Sequence, residues 1–202
     1  MEYWLTLSPW PGLLCWTLIY LSDYWMTIKT ARMYRNNPHF EFEGSLELTP
    51  QFEKDVDALK PVSRRHLLML VLTNTILLAF WWLFAQLDYT PAFALILGML
   101  ILMEVAVHLR HFRNYFMLAQ NESKGGLEGR LSYRRWYLFS NSAFEFLCIG
   151  VLFLLTAVVT GSLFFAGGAL GCLSLTLNHY RRYRRLNKLA AADAPAETGK
   201  PV

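Results

Sequence analysis

The chain has 202 residues, of which 54% are hydrophobic and only 17% are charged. Together with a positive mean hydropathy, this balance excludes an ordinary soluble domain and favours a membrane protein, with membrane lipids as its main partners. The formal net charge is +4, but the basic residues flank apolar runs and do not form one stripe with aromatic stacking surfaces. We therefore expect no binding of nucleic acid.

Five apolar runs approach the roughly 20 residues that are needed to cross a ~30 Å hydrocarbon core. The segment before the first run carries Glu2 as its only charge, so it lacks the basic start of a signal peptide and we expect the run to be retained. Only "TGS" separates the last two runs, which predicts a tight helical hairpin. The predicted transmembrane helices cover about residues 9–30, 66–87, 91–109, 136–159 and 162–179.

The basic residues predict an orientation for these helices. All 19 Lys and Arg residues fall near the inner end of the first run and in the loop after it, in the loop after the third run, or in the C-terminal tail. Because positively charged segments remain in the cytoplasm, five spans place the N-terminus outside and the C-terminus inside. The sequence thus predicts an all-α, five-helix transmembrane bundle over residues 1–189, with a disordered cytoplasmic tail over 190–202. Its small size favours a bacterial inner membrane.

The loop between the first two predicted spans has structure of its own. Hydrophobic and acidic residues alternate in "HFEFEGSLEL", which predicts a short strand or a hairpin that turns at Gly44 and Ser45. The following segment begins with Thr49 and Pro50 and stops at Pro61, which predicts a short amphipathic helix. We expect this cytoplasmic loop to fold back onto the helix bundle; the alternative is that its apolar stripe docks a partner.

Polar residues recur inside the predicted spans, where they are costly and often functional. Asp23, Asn74, Glu104 and Glu145 all fall in the inner half of the bilayer when depth is counted at 1.5 Å per residue. Asn141 lies one helical turn before Glu145 on the same face. We therefore expect these five residues to converge on a polar pocket that faces the cytoplasm and binds an ion or a proton.

Glu104 and His108 lie one helical turn apart and form the predicted metal-binding pair. A further acid of the pocket, or Cys148, would complete a site for a divalent metal of the zinc or iron type. Such an ion would also balance the charges of neighbouring carboxylates. His111 continues the same helix face toward the cytoplasm, and histidines there equally suit proton exchange.

Three functions are compatible with this pocket. In the first, the protein binds or passes a proton or a cation. In the second, the acids only bond neighbouring helices together, and the protein is a membrane scaffold or a subunit of a larger complex. In the third, the pocket is the active site of a metal-dependent enzyme that acts on a lipid, although the sequence contains neither H-E-x-x-H nor G-x-S-x-G.

Gly167 and Gly171 have the G-x-x-x-G spacing that lets two helix backbones approach closely. We expect these glycines to be helix-packing residues. They serve either contacts inside the bundle or a homo-oligomer that forms through the fifth predicted helix.

Overall fold

A computed structural model describes residues 2–125 and 128–192 of the chain. These residues are 81% helical, so the all-α class is confirmed. The helices are α1 (Glu2–Thr6), α2 (Pro9–Asn36), α3 (Pro50–Asp57), α4 (Arg64–Gln86), α5 (Pro91–Lys124), α6 (Arg135–Thr160) and α7 (Leu163–Ala192), and the strands are β1 (Phe40–Phe42) and β2 (Leu131–Tyr133).

Three helices in the described part of the chain are long and apolar enough to cross a membrane: α4, α6 and the Pro91–Asn121 part of α5. This supports a location in a membrane. The two other predicted spans lie within α2 and α7 and have a more polar composition. The reason is that α2 includes Asp23 and three basic residues near its end, and α7 continues into a run of arginines.

The third and fifth predicted spans are parts of longer helices. The sequence predicts that the third ends at residue 109, but α5 continues to Lys124 and stops where Gly125 adopts φ 63°. The extension is stabilised by packing, because Leu118 is fully buried against Tyr34 and Phe40. Helix α7 likewise continues to Ala192, beyond the predicted start of the tail at 190, and residues 193–202 lie outside the described residues.

Helix α5 is the centre of the bundle, with α2 on one side and α7 on another, and α7 also packs along α6. The backbones of α5 and α7 touch at glycines. A Cβ atom added to Gly167 would lie 1.9 Å from the Leu95 carbonyl oxygen, and one added to Gly98 would lie 2.0 Å from that of Phe164. The G-x-x-x-G face of α7 is thus buried inside the chain. A homo-oligomer through the fifth predicted helix stays a prediction.

The loop over residues 37–63, here called the cap, folds back onto the bundle. Its short strand forms as expected, but the hairpin alternative is wrong. Strand β1 pairs in parallel with β2, from Phe40 opposite Leu131 to Phe42 opposite Tyr133, so its partner comes from the loop between α5 and α6. The short amphipathic helix is present as α3, and it starts at the expected Pro50.

Two kinds of contact hold the cap in place. Val56 of α3 is 2% exposed and packs against Tyr24 and Ile28 of α2. The Arg135 guanidinium at the start of α6 donates to both carboxylate oxygens of Glu53, at 3.0 and 2.9 Å. These hydrogen bonds lower the pKa of Glu53 and raise that of Arg135. The cap is therefore attached to both the second and the sixth helix.

Candidate functional site

A cavity of about 520 Å³ lies under the cap, between α2, α5 and α6. Its walls include four of the sequence-predicted site residues: Asp23 from α2, Glu104 from α5, and Asn141 and Glu145 from α6. Apolar cap residues, among them Val56, form the opposite wall. The acids Asp23, Glu104 and Glu145 thus lie on the bundle side of the cavity, and the cap side is mostly apolar but includes Glu47 and Thr49.

Asp23, Glu104 and His108 bring three potential ligand atoms together beside this cavity. One oxygen from each carboxylate and one ring nitrogen of His108 lie within 4.8 Å of one another. Divalent ions such as zinc hold oxygen and nitrogen donors at about 2.0–2.2 Å, so donors on opposite sides of one ion are about 4 Å apart. Small rotations of these side chains would therefore bring the three atoms around a single ion.

Hydrogen bonds fix the ring of His108 in an orientation that suits metal binding. Its Nδ1 lies 2.8 Å from the backbone carbonyl oxygen of Glu104, so this nitrogen carries a proton and donates it. Its Nε2 lies 2.8 Å from the Ser22 hydroxyl. The Ser22 hydroxyl also lies 2.9 Å from the Ile19 carbonyl oxygen, so it can donate there when an ion takes its place at Nε2. Metal-binding histidines commonly donate from one nitrogen to a carbonyl and bind the ion through the other.

Glu104 is the most deeply buried acid of this group, with 8% of its surface exposed. Its Oε2 is buried and has no hydrogen-bond partner within residues 2–125 and 128–192. A buried carboxylate whose charge is not balanced costs several kcal/mol. The negative charge of Glu104 must therefore be removed by a bound proton or balanced by a neighbouring cation.

His111, one turn beyond His108, contacts the same aspartate. Its Nε2 lies 3.2 Å from Asp23 Oδ1 and 3.2 Å from the Thr27 hydroxyl. Its Nδ1 is buried and has no partner in the described part of the chain. His111 thus contacts Asp23 but does not itself belong to the group of three ligand atoms.

Glu145 and Asn141 lie on the α6 side of the cavity. Glu145 forms an ion pair with Arg113 of α5, and the Asn141 amide donates to its Oε1 at 3.2 Å. The charge of Glu145 is therefore already balanced by a guanidinium, whereas that of Glu104 is not. Cys148, the alternative metal ligand, is exposed.

Asn74 has a different environment from the other predicted site residues. Its amide donates to the Thr17 hydroxyl at 3.1 Å and so joins α4 to α2. It is not one of the described residues that line the cavity. Helix α4 contributes His66 to the cavity wall instead, and this ring stacks on Tyr20 with 4.0 Å between ring centroids.

Known proteins provide no guide to this arrangement. No protein-family model, curated protein or solved structure matches the chain.

The sequence did not predict that two further residues, Ser22 and Arg110, belong to the site. Ser22 forms the contact to His108, and only its position beside Asp23 could have indicated it. Arg110 donates to the Ser142 hydroxyl at 2.6 Å and lies 5.3 Å from the centre of the Phe146 ring. Its charge served only to orient the third predicted span, because counting basic residues treats every arginine near a membrane boundary alike.

Proposed function

We propose that the protein is a multi-pass membrane protein that binds one divalent cation through Asp23, Glu104 and His108. The observation that carries this proposal is the buried Oε2 of Glu104, which has no hydrogen-bond partner among the described residues. It belongs to the same group of three ligand atoms as Asp23 and His108. A divalent ion would balance both carboxylates and leave His108 neutral.

The proposed membrane placement has five spans, formed by α2, α4, α5, α6 and α7. It is supported by the three apolar helices in the described residues and by the positions of all 19 basic residues of the chain. In this placement the cap and the C-terminus lie in the cytoplasm of a bacterium, and the cavity is reached from that side. The ion site then lies in the inner half of the bilayer.

The donor set favours a transition-metal ion. Two carboxylate oxygens and one imidazole nitrogen suit Zn²⁺, Mn²⁺ or Fe²⁺, whereas Mg²⁺ and Ca²⁺ prefer oxygen ligands alone. Three protein ligands leave coordination positions for water or for another molecule in the cavity, as in catalytic zinc sites. The proposal therefore includes metal binding as the primary function and is compatible with a metal-dependent enzyme.

The test is a titration of detergent-purified protein with Zn²⁺, followed by elemental analysis after removal of loose ions. We expect about one zinc per chain in the wild type. Glu104→Gln keeps the shape of the side chain but removes its charge, and His108→Ala removes the nitrogen ligand, so both should lose most of the bound zinc. Losing a ligand or its close support typically lowers metal affinity by about 10- to 100-fold or more.

Two variants provide matched controls for this experiment. Glu145→Gln removes a carboxylate of the same cavity that Arg113 already balances. His39→Ala removes a cap histidine whose Nδ1 lies 2.7 Å from the Gly129 carbonyl oxygen. Both should keep full zinc stoichiometry. Wild-type protein that is folded and binds no zinc would contradict the proposal and favour a proton site or a scaffold.

A further inference from the structure

A second cavity, of about 190 Å³, lies on the surface between α5 and α6. Its floor is formed by Ala106 and Phe146, which are 1% and 2% exposed and rest on Cys172 of α7. Leu109 and Ile149 form its apolar walls, and Leu109 is 55% exposed on the outside of the bundle. This cavity, called the α5–α6 cleft below, therefore opens sideways onto a surface that is apolar.

One end of the cleft is polar and joins the larger cavity. Four residues line both spaces: Arg110, Arg113, Glu145 and Phe146. A molecule that lies in the cleft would thus have its polar end at the wall of the chamber that contains Asp23 and Glu104, while its apolar end would remain outside.

The charge at this polar end favours an anion. Arg113 is paired with Glu145, so these two charges cancel. The guanidinium of Arg110 has the Ser142 hydroxyl and the Phe146 ring as its contacts, and no carboxylate of the described residues lies within 4.0 Å of it. Guanidinium groups have five donors in a planar fork that matches phosphate and carboxylate oxygens. The charge of Arg110 acts on Glu104 through space but forms no ion pair with it, so Arg110 is the guanidinium at this end of the cleft that remains available to an anion.

The depth of Arg110 agrees with the headgroup level of a lipid. At 1.5 Å per residue it lies about 28 Å along α5 from Pro91, which is close to the ~30 Å thickness of the hydrocarbon core. The apolar cleft residues Ala106 and Leu109 come earlier on the helix and so lie at the level of the acyl chains. The charged end of the cleft thus lies at the level of the headgroup of an inner-leaflet lipid, and its apolar end lies at the level of the acyl chains.

We propose that the α5–α6 cleft binds an anionic lipid, with its phosphate on Arg110 and the start of an acyl chain between Leu109 and Ile149. This inference rests on the proposed membrane placement but not on the cation site. The phosphate headgroup of such a lipid would lie at the wall of the larger cavity, next to the proposed ion site. Free phosphate shares the headgroup chemistry and would reach Arg110 from the cytoplasmic side.

The experiment titrates delipidated, detergent-purified protein with dioctanoyl phosphatidic acid, dioctanoyl phosphatidylcholine and inorganic phosphate, and follows binding by native mass spectrometry. We expect one phosphatidic acid per chain, bound at least tenfold more tightly than phosphatidylcholine or phosphate. Arg110→Gln should lower the affinity for phosphatidic acid at least tenfold, and Arg110→Lys should restore part of this affinity. Arg184→Gln, which removes an exposed arginine of α7, should leave it unchanged.

A variant on the apolar side separates lipid from free phosphate. Ile149→Trp fills the cleft and should lower the affinity for phosphatidic acid, because the larger side chain occupies the space of the acyl chain. Equal affinity for phosphatidic acid and phosphatidylcholine, or no effect of Arg110→Gln, would overturn the inference. So would phosphate that binds as tightly as phosphatidic acid and is insensitive to Ile149→Trp.

Zinc stoichiometry is measured in the same preparations. We expect Arg110→Gln and Ile149→Trp to retain zinc, because neither residue is one of the three proposed ligands. A cleft variant that loses lipid binding but retains zinc assigns the defect to the cleft. Glu104→Gln that loses zinc but retains lipid binding assigns the defect to the ion site. Each proposal can therefore fail without the other, and retained zinc also shows that a cleft variant is folded.

Discussion

Asp55 is the carboxylate that joins α3 to the end of the cap, where Ser63 is the N-cap residue of α4. It accepts a hydrogen bond of 2.6 Å from the Lys60 ammonium and another of 2.6 Å from the Ser63 hydroxyl, and these bonds lower its pKa. Since the pKa is lower in the folded state, the stabilisation is complete above the unfolded value of about 3.9 and is lost as the pH falls below it. Acid should therefore weaken the link between α3 and the end of the cap at Ser63.

Replacing Asp55 by Asn tests this contribution. We expect the variant to melt at a lower temperature than the wild type at pH 6, and the difference to shrink as the pH falls below 4. Thermal unfolding in detergent between pH 6 and pH 3 measures it. Asp88→Asn, an exposed aspartate in the turn between α4 and α5, is the control and should show a small difference throughout. A pH-independent difference for Asp55→Asn would show that its charge is not involved.

Single residues also show which parts of the site could be predicted. Asp23 and Glu104 were expected to meet because counting residues from the span ends gives depth. Depth does not give direction around a helix in a neighbouring span, so the count could not show that Asn74 bonds Thr17. Nor could it distinguish Glu104 from Glu145, since only the fold reveals that Arg113 of another helix balances one of them.

At the scale of elements, the contact between α5 and α7 depends on glycine. The added Cβ at Gly167 would meet backbone atoms at 1.9 and 2.8 Å, and backbone cannot rotate away as a side chain can. Gly167→Ala should therefore push α7 from α5 and lower the free energy of unfolding by about 1–3 kcal/mol or more. Unfolding in mixed detergent micelles measures this value.

Gly150→Ala, in α6, provides the matched comparison. Its added Cβ would meet side-chain atoms of Cys172 and Leu173 at 3.2 to 3.4 Å, so slight adjustment suffices and we expect a clearly smaller loss. Equal losses in the two variants would mean that the close backbone approach is not what makes Gly167 necessary.

The helices and the small strand differ in how well the sequence predicts them. Each predicted span matches one of the five long helices to within one residue at its helix end or lies inside it, because length and hydrophobicity are local properties. Strand β1 was predicted by its alternation, but its partner is a three-residue segment in another loop with little pattern of its own. Pairing over such a distance in sequence depends on where α5 and α6 place their ends, which no local pattern contains.

At the scale of the whole molecule, the five-span placement predicts which loops face each side of the membrane. Single cysteines would be introduced at Leu7, Asp88 and Ser123, all exposed, after replacing the native Cys15, Cys148 and Cys172. In intact bacterial spheroplasts, a membrane-impermeant maleimide should label positions 7 and 88 but not 123. Inside-out vesicles should reverse this pattern.

Positions 7 and 88 provide the decisive comparison in that experiment. They lie on the same side if both α2 and α4 cross the membrane, and on opposite sides if α4 crosses it and α2 does not. Labelling of one from outside and of the other from inside would contradict the five-span placement, and it would also move the proposed ion site relative to the cytoplasm.

The parallel pairing of β1 with β2 has a consequence for biosynthesis. The two strands are separated by about 90 residues that include α4 and α5. At a translation rate of roughly 5–20 residues per second, β1 leaves the ribosome about 5–20 s before its partner exists. Glu104 and His108 lie between the two strands in sequence, so all three ligands of the proposed ion site exist before the strand pairing that holds the cap above them can form.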